Sequence, residues 1–133
     1  MAEFHLQIVT PDGLVFDGAA ECLHVRTDTG DIEIMRAHAD YFSSLGTGRA
    51  KITVGGVDRN ASASGGFISV RGGEVKLVAT TFEFADDIDL ERAKIAKEKA
   101  EEAIRTAGDD KSLKLARAKL MRALNRIGVA ELK

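Results

Sequence analysis

After Glu83 the spacing of apolar residues changes, and that change constrains what the chain can fold into. Before it, apolar and polar residues alternate: Phe4, Leu6 and Ile8, then Leu23 and Val25, Ile32 and Ile34, Ile52 and Val54, and later Val75, Leu77 and Ala79. A period of two puts one face of a strand against a core and the other toward water. Turn residues separate these runs. Pro11-Asp12-Gly13 ends the first, and the pairs Gly55-Gly56, Gly65-Gly66 and Gly72-Gly73 divide the later ones. Such pairs hold the positive φ angles of tight turns. Short strands with close glycine turns indicate a β-sandwich or barrel over residues 1–85.

Residues 86–133 follow another rule. Ala93, Ala96, Ala100, Ala103 and Ala107 recur at intervals of three and four, one stripe of an α-helix that Asp87 or Asp89 can cap. Gly108-Asp109-Asp110 ends that helix and starts a second, whose apolar stripe is Leu113, Ala116, Leu120, Ala123, Leu124 and Ile127. So short a link makes the pair an antiparallel hairpin. The fold class is α+β. An alanine seam allows close approach but buries little, each alanine offering far less than the roughly 1.5–3 kcal/mol of a buried Leu or Ile. Helices of this length are marginal alone, so the hairpin needs a docking surface and should be held there weakly.

Charge divides the same way. Residues 1–90 carry 14 acids and 7 bases, residues 91–110 carry 6 and 5, and residues 111–133 carry 1 and 7. The last helix is a cationic rod suited to nucleic acid, an acidic protein surface or the chain's own anionic part. No recognition motif or stacking aromatics accompany it, so nucleic acid is not an expected partner. There is no glycine-lysine phosphate loop, no metal-ligand spacing and no nucleophile motif, so no catalytic residues and no required cofactor are expected. No run nears the roughly 18 apolar residues of a membrane span, and nothing suggests a secretion signal. Cys22, the one cysteine, permits no internal disulfide. His5 and His24 occupy polar strand positions, and His38 reads as a loop residue in structural or interface contacts.

Several segments, in this order, carry a family resemblance: Val9-Thr10-Pro11 with Phe16 and Gly18; Gly30-Asp31-Ile32 followed by His38-Ala39; Ser64-Gly65-Gly66-Phe67 with Val70; and Ile88-Asp89-x-x-Arg92-Ala93. Together with the terminal hairpin they resemble the epsilon subunit of the bacterial rotary ATP synthase over essentially the whole chain. The resemblance implies a two-layer sandwich of about ten strands with a C-terminal helical hairpin. It implies a non-catalytic part of a proton-translocating complex, peripheral on the cytoplasmic face of the cell membrane. The implied partners are the gamma subunit, the rotor ring of c subunits, and the catalytic alpha and beta subunits. The hairpin is implied to extend along gamma and inhibit ATP hydrolysis. Where the family commonly has Gly-Ile-Leu-Pro and a proline after the histidine, Glu33, Met35, Arg36 and Asp40 stand here.

The resemblance also implies a regulatory ATP site at Glu83, Ile88, Asp89, Arg92, Ala93, Arg122 and Arg126, with Lys99 where the family has a further arginine. Lysine keeps that charge but loses bidentate geometry. Helical geometry alone reads the same residues differently. On it Asp87 and Asp89 are caps, Arg92 pairs with a nearby carboxylate, and Arg122 and Arg126, opposite Leu120 and Leu124, are solvated or face a partner. The resemblance assigns the basic helix, with Arg117, Arg122 and Arg126, to an acidic loop of the beta subunits, and places the His38 region near the rotor. The other reading of function is a free-standing ATP-sensing module.

Overall fold

The computed structural model describes residues 2–132 and divides between Phe84 and Ala85 into two compact units. The first holds eight strands: β1 (Phe4–Thr10), β2 (Gly13–Ala20), β3 (Cys22–Thr27), β4 (Gly30–Ile34), β5 (Tyr41–Ser44), β6 (Gly48–Val54), β7 (Val57–Arg71) and β8 (Glu74–Phe84). Their order is β2-β1-β8-β7-β6-β3-β4, with β5 beside β7.

Two long strands make this one sheet into a two-layered sandwich. The first half of β7 pairs with β6 and its second half with β5, while β8 runs along both halves. Only the first half of β8 pairs with β1. One layer is thus β2-β1-β8-β7-β5 and the other β8-β7-β6-β3-β4. Counting β7 and β8 in each layer gives the ten segments that the resemblance implies. The bend falls at Gly65-Gly66, both at positive φ. A Cβ on Gly66 would lie 1.8 Å from the Val78 carbonyl oxygen, so no other residue fits there without moving β8. This pair, expected as a turn before a strand, lies inside a continuous one.

The alternating residues fill the space between the layers. Leu6, Ile8, Leu23, Val25, Ile34, Ile52, Ile68 and Leu77 are fully buried, and each is worth roughly 1.5–3 kcal/mol of transfer free energy. Short strands joined by tight turns are expected to pair antiparallel throughout, and one pairing departs from that. β1 and β8 run parallel, Leu6–Val9 beside Val75–Val78. They come from opposite ends of the unit, so no hairpin dictates their direction. β5 is also an addition, since Tyr41–Ser44 has no clear apolar alternation.

The loop before β5 contains no proline and is held by hydrogen bonds. The Gly72 amide donates to the Asp40 carboxylate at 3.0 Å, and the His38 amide donates to the Met35 carbonyl at 3.2 Å. Ala37 takes a left-handed conformation between them, φ 66°. Met35 and Phe42 stand exposed beside this loop.

The second unit begins with a short 3-10 turn, Ala85–Asp87, followed by α1 (Leu90–Thr106) and α2 (Asp110–Ala130). No helix among the described residues is long and apolar enough to cross a membrane.

Candidate functional site

The hairpin carries most of the residues singled out above, and its construction starts at the caps. Asp89 has extended backbone and caps α1, its carboxylate accepting the Arg92 amide at 3.1 Å. Asp109 does the same for α2, accepting the Ser112 amide at 2.7 Å. Hydrogen bonding from the Ser112 side chain, and then from its amide, holds the Asp109 carboxyl below its ordinary value. Each carboxylate also sits at the positive end of a helix dipole.

Between the helices the seam is narrower than the sequence stripe. Only Ala93 and Ala100 are buried on α1, and Ala116 and Ala123 answer them on α2. Both pairs are seven residues apart, so in antiparallel helices Ala93 lies level with Ala123 and Ala100 with Ala116. Ala96 and Ala107 are half-buried and Ala103 is exposed. At the open end of the hairpin the chain closes on itself. Ala85, Ile88, Val129 and Ala130 form a small core, with Leu90 against it.

The second helix corrects the expected stripe. Leu124, expected in it, is 47 % exposed, whereas Arg122 and Arg126, read from geometry as solvated or partner-facing, are half-buried. α2 buries its small residues, Ala116 and Ala123 and then Val129 and Ala130. The rest of the expected stripe holds, with Leu113, Leu120 and Ile127 half-buried beside the buried Ala116 and Ala123, so Leu124 alone leaves it. Ile95 (51 % exposed), Leu115 (57 %) and Met121 (59 %) join Leu124 on the outside. Arg117 is exposed too.

The residues of the implied nucleotide site separate into distinct roles. Ile88 is 3 % exposed in the small core and Ala93 fully buried in the seam, so both shape backbone and packing. Asp89 is a cap with one carboxylate oxygen engaged. Arg92 and Lys99 are exposed on α1. Antiparallel packing places Arg92 at the same end of the hairpin as Arg122 and Arg126, while Lys99 lies nearer the middle, level with Arg117. Glu83 is half-buried on β8, in the other unit. His38 is half-buried, its Nδ1 2.7 Å from the Ala39 carbonyl oxygen and its ring edge-on to Tyr41 at 6.0 Å. Cys22 is half-buried, and burial pushes its thiol up, away from the reactive thiolate. Among the described residues no group of His, Cys, Asp and Glu is arranged to hold a metal.

Comparison with known proteins assigns both units. Residues 3–85 match the family model described as ATP synthase, Delta/Epsilon chain, beta-sandwich domain, and residues 86–131 match its long alpha-helix domain. The ATP synthase epsilon chain of Bacillus velezensis is 38 % identical over 130 residues, covering 98 % of each chain. That of Bacillus subtilis is 37 % identical over 130 residues with the same coverage. Among solved structures, a chain of the Euglena gracilis mitochondrial ATP synthase (OSCP/F1/c-ring) superposes with a TM-score of 0.83 at 20 % identity, covering 100 % of this chain and 83 % of that one. One from the central stalk and c-ring of the Tetrahymena thermophila enzyme gives 0.67 at 15 %, with 95 % of each covered. The sandwich with its shared long strands, the capped hairpin and full-length identity above one third agree: this chain belongs to the epsilon-subunit family of the rotary ATP synthase.

Proposed function

We propose that the chain is a non-catalytic subunit of the central stalk that couples the membrane rotor to the catalytic head and restrains ATP hydrolysis through its hairpin. The sandwich docks on gamma and on the ring of c subunits, and the loop carrying His38, with Met35 and Phe42 exposed beside it, suits the rotor contact. The hairpin leaves its folded state to run along gamma toward the alpha and beta subunits. On that route the cations of α2, Arg117 first, meet an acidic loop of the beta subunits, an attraction that salt weakens.

One observation carries this reading. Along the helices only four alanines are buried, beside a small core at one end and half-buried Ile104, Leu113, Leu120 and Ile127, while Ile95, Leu115, Met121 and Leu124 remain outside. A hairpin so built loses little on opening and brings apolar surface to whatever it next meets. The folded state is therefore one of two, and a ligand shifts the balance only as far as it prefers one of them.

ATP is the proposed regulatory ligand, held by the folded hairpin. Arg92, Arg122 and Arg126 share one end of it and are suited to phosphate oxygens, with Asp89 beside them. Calorimetric titration of ATP into the isolated protein and an Arg92→Ala variant tests this. Binding to the wild type, weakened in the variant, is expected; no binding at millimolar ATP removes the sensing role and leaves coupling standing. Co-purification with a gamma subunit tests coupling separately, since a free sensor has no reason to bind one.

A further inference from the structure

His5, at an ordinary polar position of β1, stands between carboxylates from the strands on either side. Its Nε2 is 2.5 Å from Asp17 Oδ1 on β2, and its Nδ1 is 2.5 Å from Glu74 Oε2 on β8. A neutral imidazole has one N–H and one lone pair. In that form one of these contacts would set a lone pair against a carboxylate oxygen. The imidazolium, with a proton on each nitrogen, satisfies both at once.

The strand fastened in this way is held by seven pairings with β1 and by half-buried Val15 and Phe16 against the core, but lies at the sheet edge. β2 is an edge strand, and β1 is its only ladder partner among the described residues. That ladder slips register between Ile8 and Val9, and Ala20 alone of β2 is fully buried. Beyond β1 lies the parallel pair with β8, four residue pairs long. Weakly buried edges of this kind open at low cost, so a side-chain tie matters more there than in the core.

We propose that the His5 imidazolium is a pH-operated fastener of the sandwich edge, tying β2 to β1 and β8 through Asp17 and Glu74, and that loss of one proton lets β2 open locally. The other charged groups near this face are Lys76 on β8, paired with Gln7; Arg71 on β7, opposite Glu74; and Glu3, two residues before His5. Asp17 and Glu74 are the groups in contact. Their hydrogen bonds raise the His5 pKa above 6.5, Asp17 contributing most, and outweigh the opposing effect of desolvation. The folded value being raised, the fastening is fully present below about pH 6.5 and is lost as pH rises through the higher folded value. The other sheet edge differs. His24 on β3 is 3.8 and 3.9 Å from Asp31 and Glu33 on β4, outside hydrogen-bonding range.

Amide hydrogen exchange along β2, with NMR titration of the histidine rings, tests the fastener in the full chain. After correction for intrinsic exchange, β2 protection should fall on the order of two- to fivefold as pH passes the His5 midpoint, the size expected of an exposed ion pair. Protection in β6 and β7 should stay level. In His5→Gln, β2 should be less protected and without that pH step, and Asp17→Asn should lower the His5 midpoint. A midpoint at or below 6.5, or the same β2 profile in wild type and His5→Gln, would overturn the proposal.

Discussion

The Asp89 carboxylate accepts the Arg92 amide at 3.1 Å and so closes the first turn of α1. These two residues also lie in the proposed ATP site, so on that proposal one aspartate serves both a helix end and a nucleotide site. The two roles separate by substitution. Asp89→Ala should destabilise the hairpin by about 1 kcal/mol through loss of the cap. Asp89→Asn should keep nearly all of that stability, and any loss of ATP affinity in it then reports on charge. Thermal unfolding followed by circular dichroism, with calorimetry on the same samples, checks both.

The level pairing of Ala93 with Ala123 should tolerate no added bulk. Ala123→Leu would force the helices apart, at a cost of about 1–3 kcal/mol. Faster proteolysis within 86–132 and unchanged resistance of the sandwich are the expected readout. In the assembled complex the same variant should shift the hairpin toward its extended state and lower hydrolysis.

Gly66 should be the least replaceable glycine of the sandwich. With its φ of 91° and a Cβ falling on the Val78 carbonyl, Gly66→Ala should cost several kcal/mol, as strain and overpacking add. Gly73→Ala, also at positive φ but facing open space, should cost only about 1–2 kcal/mol. Urea unfolding of the two variants makes the comparison.

Acid should loosen the second helix through Asp109. Its folded pKa lies below the ordinary 3.8, so its contribution is present above that value and is lost as pH falls through the lower folded one. Asp109→Asn can cap without titrating. Helical content of wild type should therefore fall further than that of Asp109→Asn as pH drops below about 3.8.

Much of this architecture is legible from periodicity. Phe4, Leu6 and Ile8 alternate in the sequence and are buried in the sandwich, and of the two caps that the sequence offers for the first helix, Asp87 and Asp89, Asp89 serves, with Asp109 beginning the second. The parallel partnership of β1 with β8 is a long-range choice that leaves no local mark. Gly65-Gly66 reads as a turn because positive φ serves a bend inside a strand equally well. Leu113, Leu120 and Ile127 fall on the packed side as their spacing suggests, whereas the exposure of Leu124 and the half-burial of Arg126 at the stripe's edge are not legible from spacing alone. His5 carries no sequence signal at all, since Asp17 and Glu74 reach it only through strand pairing.

The central claim is that the cationic helix of the hairpin restrains hydrolysis, and ATPase turnover of the assembled complex tests it most directly. Wild type should be compared with the triple variant Lys114→Ala, Arg117→Ala, Lys119→Ala, exposed cations of the same helix outside the proposed ATP site, across a range of salt. The account predicts faster hydrolysis by the variant and a loss of the salt dependence seen with wild type. Equal turnover and equal salt response in the two complexes would contradict it.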